Sequence, residues 1–533
     1  MNNIKIVNIF SVILIIVSII FSIIIQYYSF DKRAIGRDQT LHFYDMKKWY
    51  ESGKLPTTSA RFIGTAVVKE EFTTPRVPGG IYYIFYVLFY KLGNENLNSA
   101  RFINLIFSLL IVSIFLIWLY KRFGLFIVSV MTPFILCNPY VIMAITDFWN
   151  PNVTLLFSFI FFIFLFEYIY SDNEIVKKIS MSLIFPMLAI MAQAHFTVFF
   201  SMVPTLIVYL IIRFKNTKKY ILYCGISIFI SFLLYLPYLI FELKSNFNNL
   251  YLALGVRESL NKFPFPQVHS LLFFPTNEMS TFFGTRIHAI IHFWFSKPVY
   301  IYGLIFLFIS VIFSIFAFIR AFIFLMKRNN INDNMCKTFK ELSLILFLFI
   351  VVTIASFIIF RSKPGGFHYL YSAFSISFVP ILLFFFQNEK KFKNNIKIFS
   401  VLFAVLILNV FAITGELKRY YRIFEEPRNY NNLEKLVKYI KNDAGDKKIK
   451  IYNNFGGNME YQYEDIFLTY FPEYNINTSD NPEILYSIRD DISRLNWDKN
   501  RNDREMQYLI DNNAIELTNI AGYTIFKFPK VPD

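Results

Sequence analysis

The sequence predicts a polytopic α-helical membrane protein of about eleven transmembrane helices, with a small α/β C-terminal domain on the outer side of the membrane. Three observations carry this. The 533 residues are 55% hydrophobic and only 17% charged, with a mean hydropathy of +0.45, whereas a soluble chain of this length would carry more charge. Apolar runs long enough to cross a hydrocarbon core recur as far as residue 414. Beyond that point the pattern changes to amphipathic and β-rich segments.

The runs lie at 5–28, 99–119, 123–143, 151–170, 179–195, 197–213, 219–241, 299–326, 341–360, 368–387 and 395–414. In the first, Ile4 to Ile25 is almost unbroken apart from Lys5, and no small-residue cleavage site follows. It reads as an uncleaved signal anchor with Lys5 inside. Phe (66) and Tyr (34) are abundant, as lipid-facing helices with aromatic belts require.

A further segment, "GGIYYIFYVLFYKLG" at 79–93, is apolar but short. Its apolar stretch reaches roughly 20 Å against a core of about 30 Å. If it does not span, the basic loops carrying Lys121 and Arg122, Lys177 and Lys178, Arg213 to Lys219, Lys327 to Lys340, and Lys390 to Lys397 all fall on one side. That is the positive-inside pattern; if the segment spans, every one of these loops moves outside. An interfacial or half-inserted helix is therefore expected there, after the break at Pro78-Gly79-Gly80.

This topology leaves 29–98, 242–298 and 415–533 outside, and brings all six histidines near the outer face. Residues 1–415 form the expected transmembrane domain and 416–533 the soluble domain. In the tail, "NNLEKLVKYIKNDAG" reads as an amphipathic helix closed by Gly445, and "KKIKIYNN" and "GYTIFKF" read as strands.

Charge and cysteine exclude some partners. The net charge is +16, but residues 415–533 hold 17 Lys and Arg against 20 Asp and Glu. The basicity thus belongs to the membrane part, where it orients helices and attracts anionic head groups. A nucleic-acid partner would need a basic face on a soluble domain, which the tail lacks. Cys137, Cys224 and Cys336 have no metal-ligand spacing and lie outside the long loops, which is compatible with a bacterial plasma membrane.

Polar residues gather in the expected outer loops. The first contains Asp38-Gln39, then "YDMKKWYESGKLP", Arg76-Val77-Pro78 and "LGNENLNSARF", which includes Leu92-Gly93 and Arg101. The next carries Asp147 in "AITDFWNPN"; "QAHF" (Gln193 to Phe196) and "PGGFHYLY" follow at later helix ends. This order resembles the type C glycosyltransferases (the GT-C fold), in particular the protein O-mannosyltransferases and bacterial family 39 relatives that use polyprenyl-phosphate sugars. The resemblance covers about residues 1–415 and is strongest before residue 170. Where that family carries an acidic pair, this chain has Asp38-Gln39, so the second acid is missing.

The resemblance implies transfer of a sugar from a polyprenyl-phosphate donor to a glycolipid, cell-envelope polysaccharide or protein acceptor at the outer face. Asp38 then corresponds to the essential carboxylate, the general base for the acceptor. Asp147 is suited to bind a divalent cation, hold the acceptor or assist Asp38; equally, it is a reasonable helix N-cap. Arg76 is the first candidate for the lipid phosphate, since guanidinium binds phosphate in bidentate fashion. Arg361 and Lys363 come next, with His368 and Tyr369. His195, Arg257 and Arg286 are candidates for acceptor or secondary contacts. Each of these cations also reads as an interfacial side chain snorkelling to water. His288 and His292, four apart, have metal-binding spacing but no evident third ligand.

Two other classes fit less well. A polysaccharide polymerase or ligase of the O-antigen kind would have its main loop late in the chain, with arginines carrying catalysis. A flippase or transporter would carry charges at mid-membrane depth or matched inverted halves.

Overall fold

The computed structural model describes residues 2–32, 35, 37–62, 74–255, 267–276, 298–327, 333–360, 366–421, 429–452, 463–490 and 499–529. They form two compact units. One comprises Met1–Gln26, Gly53–Phe62 and Pro75–Tyr420; the other comprises Tyr27–Ser52, Ile63–Thr74 and Tyr421–Asp533.

The chain begins with α1 (Asn2–Lys32), α2 (Arg37–Ser52), a hairpin of β1 (Thr58–Arg61) and β2 (Arg76–Pro78), and α3 (Ile81–Leu92). There follow α4 (Leu97–Leu136), α5 (Pro139–Thr146), α6 (Asn150–Tyr170), α7 (Glu174–Ala194) and α8 (Met202–Ile212). Next come α9 (Phe214–Thr217), α10 (Ile221–Lys244), α11 (Asn248–Gly255), α12 (Ser270–Phe273), α13 (Pro298–Met326) and α14 (Asn334–Phe360). A 3-10 stretch at Phe367–Ala373 leads to α15 (Val379–Asn394) and α16 (Ile396–Tyr421).

Among the described residues, seven helices are long and apolar enough to cross a membrane, and a pair bent by 78° at Phe367–Ala373 and Ile376–Asn394 brings the number to eight. The difference from eleven has a physical origin. The 40-residue α4 takes in the expected run at 99–119 and most of that at 123–143, and it breaks at Gly124, whose φ of 81° suits glycine. The region 196–212, a 3-10 turn leading into α8, is shorter than 18 residues, whereas α16, 26 residues long, takes in nearly all of the expected run at 395–414. The chain is a multi-pass membrane protein. Ile9, Ile16 and Ile23 on α1, Phe229 on α10 and Ile312 on α13 are exposed apolar side chains, which only lipid accommodates in such number. Helix α3 has 12 residues, about 18 Å of rise and short of the hydrocarbon core.

Inside the first unit, aromatic rings fill the space between α4 and α6: Phe115 and Phe159 have centroids 4.7 Å apart, and Trp118 and Phe166 4.9 Å. Buried Glu167 accepts hydrogen bonds from Trp118 Nε1 at 2.7 Å and Arg122 Nε at 2.6 Å. A buried carboxylate survives only with such partners. Glu174 pairs with Lys219 at 2.8 Å, and Glu341 pairs with Arg213 Nε at 2.7 Å. Because Glu167 and Glu174 flank the α6–α7 turn and Arg213 and Lys219 flank α9, these contacts tie the basic loops into one belt. The opposite ends of α6 and α7, at Asn150 and Ala194, define the other end of the unit.

The second unit is the α/β body: α17 (Tyr430–Ala444), β3 (Ile449–Tyr452), α18 (Tyr463–Tyr470), β4 (Ile484–Asp490), α19 (Lys499–Asp511), β5 (Ile515–Ile520) and β6 (Tyr523–Lys527). Its sheet runs β3-β4-β6-β5, with β3 and β4 parallel and the other neighbours antiparallel. Helix α17 buries Leu433, Leu436, Val437 and Ile440 and ends at Gly445. Their i, i+3, i+4, i+7 spacing makes one apolar face, worth about 1.5–3 kcal/mol per fully buried side chain. The α2 segment belongs to this unit and stacks Phe43 on Tyr470 of α18, with centroids 5.2 Å apart.

Candidate functional site

Three helix breaks meet at the end of the first unit remote from the basic belt. The first separates α5 from α6, where Asp147 (φ −130°, ψ 140°) and Trp149 (φ −131°, ψ 132°) are extended. Pro151, lacking an amide hydrogen, fits the first turn of α6. Asn152 folds back and donates from Nδ2 to the Asp147 carbonyl at 3.0 Å. Asp147 is 3% exposed. The adjacent Phe148 ring lies 4.0 Å, centroid to centroid, from Tyr86 of α3.

The second break follows α7, where His195 is extended (φ −141°, ψ 114°) before the 3-10 turn Phe196–Phe200. Asn150 Nδ2 donates to the Ala194 carbonyl at 2.9 Å, which ties the first two breaks together. The third is the 3-10 stretch carrying His368 and Tyr369. Ring centroids measure 5.5 Å for His195–His368, 5.1 Å for His195–Tyr369 and 4.7 Å for Trp149–His368. Three candidates from separate parts of the sequence, His195, His368 and Tyr369, are thus in mutual contact, with Asp147 two residues from Trp149.

The hairpin bearing Arg76 is joined to this group through α7. Gln193 accepts from the Ile81 amide at 3.1 Å through Oε1 and donates from Nε2 to the Leu234 carbonyl at 3.1 Å. Ser59 of β1 donates to the Gly79 carbonyl at 2.6 Å. The backbone of Arg76 is gripped at both polar atoms: its amide donates to Asn249 Oδ1 at 2.7 Å, and its carbonyl accepts from Asn249 Nδ2 at 3.1 Å. The Arg76 residue itself is half-buried.

Asp38 belongs to the second unit, in the first turn of α2, where it is exposed. A carboxylate there is favoured by the helix dipole. Arg257, Arg286, Arg361, Lys363, His288 and His292 lie outside the described residues. Among the described residues, no three His, Cys, Asp or Glu side chains gather as a metal ion would need.

Sequence reasoning missed Trp149, Asn150, Thr197 and Asn249. The strings "WNPN" and "QAHF" contain or adjoin the first three, so the signal was present there. Asn249 meets Arg76 across 173 residues, and nothing local announces that pairing.

Neither a protein-family model nor a curated protein sequence matches the chain. Two solved structures resemble it, both crystal structures of ArnT from Cupriavidus metallidurans, one in the apo state and one bound to undecaprenyl phosphate. Each likeness covers 96% of this chain and 97% of the other at 9% sequence identity, with TM-scores of 0.46 and 0.44.

Proposed function

We propose that this protein is an integral membrane glycosyltransferase that moves a sugar from a polyprenyl-phosphate-linked donor to an acceptor hydroxyl at the outer face of the membrane. The observation that carries the proposal is the convergence of three broken helices and the Arg76 hairpin at one end of the membrane unit, opposite the basic belt. Irregular backbone at membrane depth is tolerated where it is buried in protein or lines a water-filled cavity. A cation, a carboxylate and polar rings carried by elements at that end would suit transfer from an anionic lipid.

In the proposed step the acceptor oxygen attacks the anomeric carbon, and the bond from that carbon to the phosphate oxygen breaks. The polyprenyl phosphate leaves with the electron pair, and the hydroxyl proton passes to a carboxylate. A single displacement of this kind inverts the anomeric centre. Arg76, joined by Arg361 and Lys363, neutralises the charge that develops on the phosphate. Asp38 is the proposed base, on the strength of its place in the motif order alone. His368 and Tyr369 assist at the phosphate, Asp147 binds a divalent cation, holds the acceptor or assists Asp38, and His195, Arg257 and Arg286 make acceptor or secondary contacts. The positive-inside pattern of the loops supports an inner N-terminus and an outer tail.

The test is transfer of radiolabelled sugar by the purified full-length protein from a panel of polyprenyl-phosphate sugars to extracted envelope lipids and glycans. Consumption of one donor with labelled acceptor is the expected result. A panel in which no donor is consumed defeats the proposal.

A further inference from the structure

Thr197 stands between two groups, and its single hydroxyl proton decides the state of a third. The Thr197 hydroxyl donates to the Tyr369 carbonyl at 3.0 Å and lies 2.6 Å from His195 Nδ1. A carbonyl oxygen only accepts, so the threonine proton is committed to Tyr369. Both hydrogen bonds exist together only if His195 Nδ1 carries a hydrogen and donates it to Thr197 Oγ1. His195 is 9% exposed, and its imidazole sits against the rings of His368 and Tyr369. Charging it there would carry the desolvation penalty of a buried ion. In the neutral Nδ1–H form, Nε2 keeps its lone pair.

We infer that Thr197 is a positioning residue that fixes the His195 tautomer, so that Nε2 is a hydrogen-bond acceptor reserved for a hydroxyl group of a substrate. This deepens the glycosyltransferase reading and rests on it for the identity of the substrate. A lone pair repels the oxygens of a phosphodiester, which has no proton to offer at neutral pH, so His195 is not a phosphate ligand. A sugar or acceptor hydroxyl has the one proton the site can take. His195 and the Arg76 hairpin therefore divide the work, with the cation for the phosphate and the lone pair for an O–H donor. The hydroxyl can come from the donor sugar or from the acceptor, and kinetics separate the two.

The inference is tested on full-length protein in lipid nanodiscs with 15N-labelled histidine, the His195 signals being assigned by their loss in His195→Gln. Wild type and Thr197→Ser are expected to show the hydrogen on Nδ1, and Thr197→Val, which removes the hydroxyl at nearly constant shape, to shift toward the Nε2–H form. In parallel, Thr197→Val raises the KM of one substrate about tenfold, the value of one lost hydrogen bond of about 1.4 kcal/mol, while Thr197→Ser restores it. A rise confined to the donor identifies the sugar hydroxyl, and one confined to the acceptor identifies the acceptor hydroxyl. A wild-type spectrum with the hydrogen on Nε2 overturns the inference, as does a Thr197→Val protein with both KM values unchanged. The spectra need no substrate, so a protein that transfers no sugar defeats the glycosyltransferase reading and leaves the tautomer assignment standing.

Discussion

Gly79 and Gln193 are packed so closely that a Cβ on Gly79 would come within 2.4 Å of the Gln193 side chain. Gly79 also has a φ of +93°, a region L-residues avoid. Gln193 is not free to retreat, because hydrogen bonds to the Ile81 amide and the Leu234 carbonyl hold both of its polar atoms. Gly79→Ala is expected to destabilise the membrane unit by about 2 kcal/mol or more, from backbone strain and a displaced buried amide together. Thermal unfolding in detergent measures this. Adding Gln193→Ala relieves the clash but gives up the two Gln193 hydrogen bonds and leaves the strain at residue 79, so the double variant should still melt below wild type.

Asn249 makes a different prediction, about binding. Two of its hydrogen bonds hold the Arg76 backbone, at about 1 kcal/mol each. Asn249→Ala should raise the KM for a polyprenyl-phosphate donor about tenfold while the KM for the acceptor changes little. Equal loss for both substrates would mean that the hairpin does not serve the phosphate.

The tail domain should respond to acid through Asp443. Burial alone would raise its pKa, but hydrogen bonds from Lys527 and Tyr486 and the charges of Lys527 and Lys447 outweigh burial and hold the carboxyl below its ordinary value. The folded pKa is therefore lower than the unfolded one, about 3.9. The stabilisation is complete well above that value and is lost as pH falls through it toward the folded pKa. Asp443→Asn should cost about 1 kcal/mol at neutral pH, and the difference from wild type should shrink below about pH 4. Limited proteolysis of the tail across pH follows this.

Sidedness can be read chemically. In a chain with Cys137, Cys224 and Cys336 replaced, a cysteine at exposed Asn216, in the basic belt, should react only with a reagent that reaches the cytoplasm. One at Asp480, an exposed position in the second unit, should react with an impermeant reagent added outside. The reverse pattern would invert the topology.

The apolar runs were legible because lipid exposure removes any need for a period, leaving length and charge to mark each helix. The break at Asp147–Trp149 was legible too, since Asn150-Pro151-Asn152 announces a helix start. In the tail, α17 showed itself by its apolar face, and β3 and β6 by β-branched and aromatic density. Strand β4 escaped because Ile484 to Asp490 mixes apolar residues with Ser487 and Arg489, although it lies second in the sheet and its first five residues are buried. Helix α2 was not recognised as one, since Arg37 to Ser52 alternates polar and aromatic residues and draws its apolar partner, Tyr470, from over 400 positions away. The pairings that build the candidate site, Gln193 with Ile81, Asn249 with Arg76 and Thr197 with Tyr369, span 112, 173 and 172 residues. Such pairings follow from how the helices pack, which no local pattern encodes.

The central claim is that a carboxylate of this chain activates an acceptor against a polyprenyl-phosphate sugar, and Asp38 is the proposed group. The decisive measurement is the rate of radiolabelled sugar transfer by purified wild-type and Asp38→Asn proteins, with folding of both verified by thermal unfolding. Loss of at least about a hundredfold in kcat, with donor KM little changed, is expected for a missing general base. An Asp38→Asn protein that folds and transfers sugar at the wild-type rate would contradict the account.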